Sequence, residues 1–289
     1  MAHEMPQVDG VSHRFLNVDG FGFHVAEAGE GDPVILLHGW PQHWYCWRLV
    51  MPILAENYRV VAIDLRGFGW TDIAWEGLDK ESMADDIVNV LAEMGIERAR
   101  FVGHDWGAWI GYLLAIRKPE LVDRLVALSI PPPFAKGSLG SFAAGARLRY
   151  QFALASPLAI RRMRRLGYVS RLIKRWSKDR TNLGKDVRRI YARDLRASTR
   201  ARASMLLYRT FLRKEIGPAL AGRYRKQRLT VPTLVMHGEK NPILSPRVFA
   251  GHEKYADDLT VEIIPDVGHM LPEECPELVA QRAHEFFSS

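Results

Sequence analysis

Gly103-His104-Asp105-Trp106-Gly107 sets a carboxylate between two glycines in the G-x-Nuc-x-G spacing of a nucleophile elbow. Such glycines permit a strained turn that lifts the central side chain out of the chain around it. A serine in this place would attack an acyl carbon, whereas an aspartate attacks an sp3 carbon and becomes an alkyl ester. That ester turns over only if water is activated against it, and Gly268-His269, late in the chain, offers an imidazole as the base. Alone, the aspartate reads equally well as a glycine-flanked helix N-cap and the histidine as a packed core residue. The catalytic reading gains from two further loops, His38-Gly39-Trp40-Pro41 and Asp64-Leu65-Arg66-Gly67-Phe68-Gly69, each following an apolar run.

The elements that must hold these residues are legible in the same way. Pro33 to Leu37, Tyr58 to Ile63, Arg100 to Val102 and Leu125 to Ile130 are short, rich in Val, Ile and Leu, and bounded by Gly, Pro or Asp. They read as buried parallel strands. Between them, Met83, Ile87, Val90, Leu91 and Met94 share one face of a helix over Ser82 to Met94, and Gly107 to Arg117 reads as a second, more apolar helix. The alternation implies an α/β protein with a mostly parallel, doubly wound sheet and right-handed crossovers. Arg14 to Val18 and Gly22 to Ala26, around Asp19-Gly20, read as an antiparallel hairpin at the sheet edge. The pattern breaks at Pro131-Pro132-Pro133 and becomes helical, and strands resume at Thr233 to His237 and Thr260 to Ile264 before a closing helix, Pro276 to Phe287. The expected organisation is a core over 1–133, an inserted helical cap over 134–228, and the rest of the core over 229–289.

With HGWP and GHDWG each ending its own strand, the sequence resembles the α/β-hydrolase superfamily, and within it the branch of epoxide hydrolases and haloalkane dehalogenases. The resemblance covers nearly the whole chain and is loosest in the cap. It implies an α/β-hydrolase fold, Asp105 as nucleophile, His269 as base, and an oxyanion hole from the backbone N–H groups of Trp40 and Trp106. His38, His104 and Trp109 are expected beside an apolar substrate pocket. Dehalogenases of this kind place Asn after the HG, where this chain has Trp40, and fluoroacetate dehalogenases place Arg after the nucleophile, where it has Trp106. Epoxide hydrolases donate to the epoxide oxygen from two cap tyrosines, one in a Tyr-Gln pair and one in a Tyr-Arg pair. Tyr150-Gln151 and Tyr208-Arg209 match, whereas Tyr168, Tyr191 and Tyr224 lack such contexts. A phenol, with an ordinary pKa of about 10, stays protonated and can donate at neutral pH. The implied reaction takes a small-molecule epoxide and water to a vicinal diol, with no cofactor and no metal.

One position departs from the pattern. The acid that orients the histidine in this family falls in Gly238-Glu239-Lys240-Asn241-Pro242 at the place occupied by Asn241. An acid after the sixth strand is excluded, because no Asp or Glu occurs from Arg124 through Lys178. Glu239 and Asp266 are the nearest substitutes. Three readings follow: an engineered Asp to Asn variant, a natural enzyme with a neutral orienting group, or a hydrolase-like protein that binds small molecules without turning them over. A dehalogenase stands as a further alternative.

Composition bounds the rest. Hydrophobic residues at 47% and charged residues at 25% are ordinary for a globular chain, which excludes a mainly disordered protein. Cys46 and Cys275 have no partner at disulfide-framework or zinc-ligand spacing, which fits a reducing, cytoplasmic setting. Arg147 to Arg228 holds 25 Lys or Arg against four acids, while the remainder holds 15 against 29. Such a basic cap reads as a solvated face that can touch anionic surfaces; it carries no nucleic-acid-binding motif. No apolar run is long enough to insert stably in a membrane. The oligomeric state leaves no mark in the sequence.

Overall fold

Eight short strands join in one sheet in the computed structural model, which describes residues 4–134 and 149–289. The first stretch of the expected cap, 135–148, including Arg147, lies outside the described residues. The strands are β1 Ser12–Val18, β2 Phe21–Ala28, β3 Pro33–Leu37, β4 Arg59–Ile63, β5 Ala99–His104, β6 Val122–Leu128, β7 Thr233–Gly238 and β8 Leu259–Ile264, in the order β1-β2-β4-β3-β5-β6-β7-β8. β1 and β2, and β2 and β4, pair antiparallel, and the other pairs are parallel. The interior strands are mostly apolar and buried because helices cover both faces, whereas the edge strands β1 and β8 mix exposed and half-buried positions.

The longer helices of the core are α1 Lys80–Glu93 and α2 Trp106–Arg117, closed by a C-terminal helix over Pro276–Phe287. Asp79 caps α1, its carboxylate accepting from Ser82 N–H at 2.9 Å, and Met83, Ile87, Val90 and Leu91 are buried along one face. In α2 every residue from Trp106 to Ile116 is buried, since it lies beneath the insertion as well as on the sheet. Between β6 and β7 the described insertion is helical: α3 Arg149–Ala155, α4 Leu158–Met163, α5 Leu166–Trp176, α6 Lys185–Asp194, α7 Ser198–Thr210 and α8 Ile216–Leu220. α3 packs on α7, and α5 on α6.

The expected antiparallel hairpin stands at the sheet edge, with β2 extended to Ala28 and paired with β4. β6 stops at Leu128 rather than Ile130 because Ser129 turns to φ 66° and aims its hydroxyl at the His269 carbonyl, 2.7 Å away. Both cysteines are free thiols, and among the described residues no helix is long and apolar enough to cross a membrane.

The strand order fixes where a ligand can sit. Connections run from β3 outward in both directions, to β4 on one side and β5 on the other, so the crevice beyond their carboxyl ends is a topological switch point. Leu37 is in register with Gly103, which sets the Gly39-Trp40 turn beside Asp105. Gly238 is in register with Ile264, which brings the loops bearing Asn241 and His269 together.

Candidate active site

Asp105 occupies the turn from β5 into α2 with φ 51° and ψ −119°, a conformation that non-glycine residues rarely adopt. Its backbone is held on both sides: its N–H donates to Leu128 O at 3.1 Å, and its carbonyl accepts from Ala108 N–H at 3.0 Å. The flanking glycines are a packing requirement, since a Cβ on Gly107 would lie 2.1 Å from the Leu37 carbonyl oxygen. Gly39 is equally constrained, because its Cβ would lie 2.4 Å from that of Asp105. Asp105 Oδ2 accepts from Trp40 N–H at 3.1 Å, and the carboxylate also accepts from Trp106 N–H. Burial pushes the Asp105 carboxyl up to about 7, against those two N–H groups and the Lys80 ammonium, which favour the charged form.

His269 faces the other oxygen, with Nε2 3.9 Å from Asp105 Oδ1. Its loop is braced from several directions. His269 N–H donates to Trp176 O at 2.8 Å, and its carbonyl accepts from Ser129 Oγ and from His104 Nε2–H at 2.9 Å. Glu274 gathers the N–H groups of Gly268, Met270, Lys178 and Asp179 within 3.0 Å, joining this loop to the insertion. Burial, then the neighbouring His104 and His237, hold the His269 pKa well below that of a free imidazole.

Asn241 reaches the second ring nitrogen. Its Nδ2 lies 3.1 Å from His269 Nδ1, while its Oδ1 accepts from Ile243 N–H at 2.9 Å and Leu244 N–H at 3.3 Å. Two backbone donors require an acceptor, which fixes the amide's orientation. The NH2 group therefore donates to Nδ1, and the proton of the neutral imidazole sits on Nε2, toward Asp105. Glu239 and Asp266 do not substitute: Glu239 pairs with Lys240 at 3.3 Å and receives Asp266 N–H at 3.5 Å, and both are exposed.

Tyr208 and Tyr150 close the crevice from the insertion. The Tyr208 ring centroid lies 5.4 Å from Trp40, 5.9 Å from Trp106 and 6.1 Å from Tyr150. Trp176 completes the wall, 5.3 Å from Tyr150 and 6.1 Å from His269. Burial, and then neighbouring charge that includes Asp105, raises both phenols above their ordinary value, so both stay protonated. Arg209 donates to Ala155 O at 3.0 Å and binds the two tyrosine-bearing helices to each other.

The remaining expected residues sit one layer back. Nδ1–H of His38 donates to Gly39 O at 3.1 Å and Nε2 accepts Leu65 N–H at 3.0 Å, so its polar atoms tie two loops while the ring borders a small apolar cavity with Trp40 and Trp106. His104 braces His269, and burial lowers its pKa to about 4. Trp109 packs behind Trp106 and against Phe211. Among the described residues no cluster of His, Cys, Asp or Glu is arranged to hold a metal ion.

A family model described as alpha/beta hydrolase fold matches residues 32–276. The chain belongs to the α/β-hydrolase fold family. Within the family it is similar to the soluble epoxide hydrolase of Corynebacterium sp. strain C12, 29% identical across 96% of this chain and 98% of that one. It is also similar to the solved structure of epoxide hydrolase CorEH without ligand, with TM-score 0.73 and 27% identity over 96% of this chain and 99% of the other. Cfl2 from Burkholderia cenocepacia superposes with TM-score 0.82 and 28% identity over 98% of each chain.

One buried ion pair joins the hydrolase core to its insertion and a second, within the core, meets the insertion through Tyr191, and neither leaves a local mark in the sequence. Lys80 Nζ is fully buried and 2.9 Å from Glu215 Oε1, with its ammonium 4.3 Å from the centroid of the Trp106 ring. Arg48 Nη1 lies 2.5 Å from Glu273 Oε2, and Tyr191 of α6 donates to the same carboxylate. Burial pushes Glu273 up to about 7 against these donors. Removing one partner of a buried pair strands the other, at a cost of about 3–5 kcal/mol, whereas an apolar replacement of both is often neutral. Lys80→Met is therefore expected to lower unfolding free energy in urea by that amount, and Lys80→Met with Glu215→Leu to recover most of it. Equal losses in the single and double variants would remove the pair as the cause.

Proposed function

We propose that the protein is an epoxide hydrolase that forms its alkyl ester on Asp105 readily and hydrolyses it slowly. The observation that carries this reading is the Asp105 carboxylate, gripped by Trp40 and Trp106 N–H and roofed by two protonated phenols, Tyr150 and Tyr208. In the first step an Asp105 oxygen attacks an epoxide carbon, the C–O bond breaks, and the phenols donate to the oxygen as it gains charge. The ester carbonyl then rests in the Trp40 and Trp106 N–H groups, where an oxyanion would be stabilised. In the second step water adds to that carbonyl, and a base must take its proton.

His269 is the base in position, but Asn241 opposes it. With Nδ1 occupied by an amide N–H, the nitrogen facing the ester carries a proton and has no lone pair to offer. Acting as base requires the other tautomer, which sets N–H against N–H at Asn241 or strands two backbone donors, at about 1–3 kcal/mol for each. In a serine triad the corresponding Asp to Asn change costs about 10⁴ in turnover. The first step needs no base and escapes this loss. The cap over 134–228 supplies the phenols and shields the ester, and no step draws on a cofactor.

Mixing the protein with a styrene-type epoxide is expected to add the epoxide's mass to Asp105 within one turnover, with slow diol release afterwards. Asn241→Asp is expected to raise steady-state diol formation by at least about tenfold, within the range of the serine-triad effect, and to change the alkylation rate far less. Halide release from a haloalkane without reaction at an epoxide would mark a dehalogenase instead, and no adduct from any of these would mark a binding protein.

The alkylation rate should also report the nucleophile's protonation. With the Asp105 carboxyl at about 7, its reactive anion falls tenfold per pH unit below that value and saturates above it. Rapid-quench mass spectrometry across pH 5 to 9, a window of about two units on each side of that pKa, should give one rising limb and a plateau. A rate flat down to the acid end would show a nucleophile already ionised.

A further inference from the structure

Lys80 opens α1, yet its side chain turns inward and not toward water, where a lysine ordinarily lies. Its ammonium is buried 4.3 Å from the centroid of the Trp106 ring and 5.1 Å from that of Phe211. The counterion comes from the insertion. α7 runs directly into a π-helical turn, Phe211–Glu215, of a kind often found at functional positions. One face of this continuous helix meets the core through three side chains. Tyr208 and Phe211 pack edge-on against Trp106 at 5.9 Å and 4.8 Å, and Glu215 accepts from Lys80 Nζ at 2.9 Å and from Lys80 N–H at 3.1 Å.

The ring under the ammonium belongs to the residue whose backbone N–H holds Asp105. Asp105 must be an anion to attack carbon, and burial opposes that charge. Trp40 and Trp106 N–H supply partial charges in its favour, whereas among the described residues Lys80 supplies the full one. The other charged groups at the start of α1 are engaged elsewhere. Asp79 accepts from Ser82 N–H and Oγ, and Glu81 pairs with Arg223 and with the Tyr224 hydroxyl, both at 3.0 Å. The remaining titratable groups facing Asp105 are His269, kept neutral by burial, and the protonated phenols of Tyr150 and Tyr208. Without Glu215 a buried ammonium would have ring faces and no counterion, so its place depends on the insertion.

We propose that Lys80 is a positioning residue for the nucleophile and that Glu215 makes its action conditional on a seated insertion: the helix that brings the Tyr208 phenol into the crevice also carries the carboxylate that holds an ammonium against Trp106 and keeps Asp105 anionic. This rests on the epoxide hydrolase reading, in which the carboxylate attacks and the phenol donates in the same step. Displacing the helix removes both together, so the carboxylate is armed only when the group that receives the charge of the epoxide oxygen is in place.

Two variants separate this role from packing. Lys80→Met with Glu215→Leu removes both charges and keeps the seam filled, whereas Glu215→Gln keeps the ammonium and a hydrogen-bond acceptor and deletes only the negative charge. Rapid-quench mass spectrometry gives the pH midpoint of Asp105 alkylation, and carbon-13 NMR of aspartate-labelled protein follows the Asp105 carboxyl itself, with Asp105→Asn assigning the signal. In the double variant the midpoint is expected to rise by about one pH unit, the low end of the range for a cation acting on a carboxylate, so that alkylation well below the midpoint slows about tenfold while the alkaline plateau is kept. Glu215→Gln is expected to lower the midpoint, since the ammonium then acts without its counterion. A loosened seam would not move the two variants in opposite directions. An unmoved midpoint in the double variant, a rate loss equal at every pH, or a rise in both variants overturns the role of Lys80. If no epoxide reacts, the carboxyl titration decides alone: opposite shifts support Lys80 while the epoxide reading fails, and an unshifted carboxyl refutes it.

Discussion

Two backbone N–H groups, those of Ile243 and Leu244, decide which way the Asn241 amide faces, and through it which nitrogen of His269 holds the proton. An aspartate in this place would accept from the same backbone donors with one oxygen and from Nδ1–H with the other. The amide can do only the first. One atom thus inverts the hydrogen-bond polarity of the relay while leaving its geometry intact. The consequence is confined to the histidine, because the Asp105 carboxylate is held by Trp40 and Trp106 N–H and not by the imidazole, which stays 3.9 Å away.

That separation follows from the sheet. β3 and β5 are neighbours and deliver Asp105 with its N–H donors, whereas β7 and β8 deliver Asn241 and His269 from the other side. The tyrosines come from neither pair but from α3 and α7, so their placement depends on how the insertion sits on the core. Buried carboxylates hold that seam: Glu215 against Lys80, Glu273 against Arg48 and Tyr191, and Glu274 against four backbone N–H groups. Each is costly to bury and costly to strand, which favours a single docking geometry over a sliding one.

The sequence was most informative where the backbone imposes rules on residue type. Gly103, Gly107 and Gly39 mark close approaches that no side chain tolerates, and they located Asp105 and its N–H donors before any fold was in hand. Strand periodicity located all eight strands to within about three residues and carried β6 through Ser129, since nothing local announces a turn driven by a hydroxyl reaching His269. His38, His104 and Trp109 were placed near the site, while the polar contacts of the two histidines turn out to join loops and Trp109 packs behind Trp106. Lys80 and Glu215 are 135 positions apart and lie on helices with different roles, and such a pair has no signature in residue spacing. Asn241 stood out because the family pattern leaves an acid expected there, but the direction of its amide needed the two backbone donors.

The tautomer of His269 is open to direct measurement. Nitrogen-15 NMR of histidine-labelled protein near neutral pH, with His269 assigned by substitution, distinguishes a protonated ring nitrogen from one bearing a lone pair. The structure requires Nε2 protonated and Nδ1 bare in the chain as it stands, reversing to Nδ1 protonated in Asn241→Asp. A protonated Nδ1 in the unaltered chain would contradict the account, because the Asn241 amide could not then be the group that holds His269.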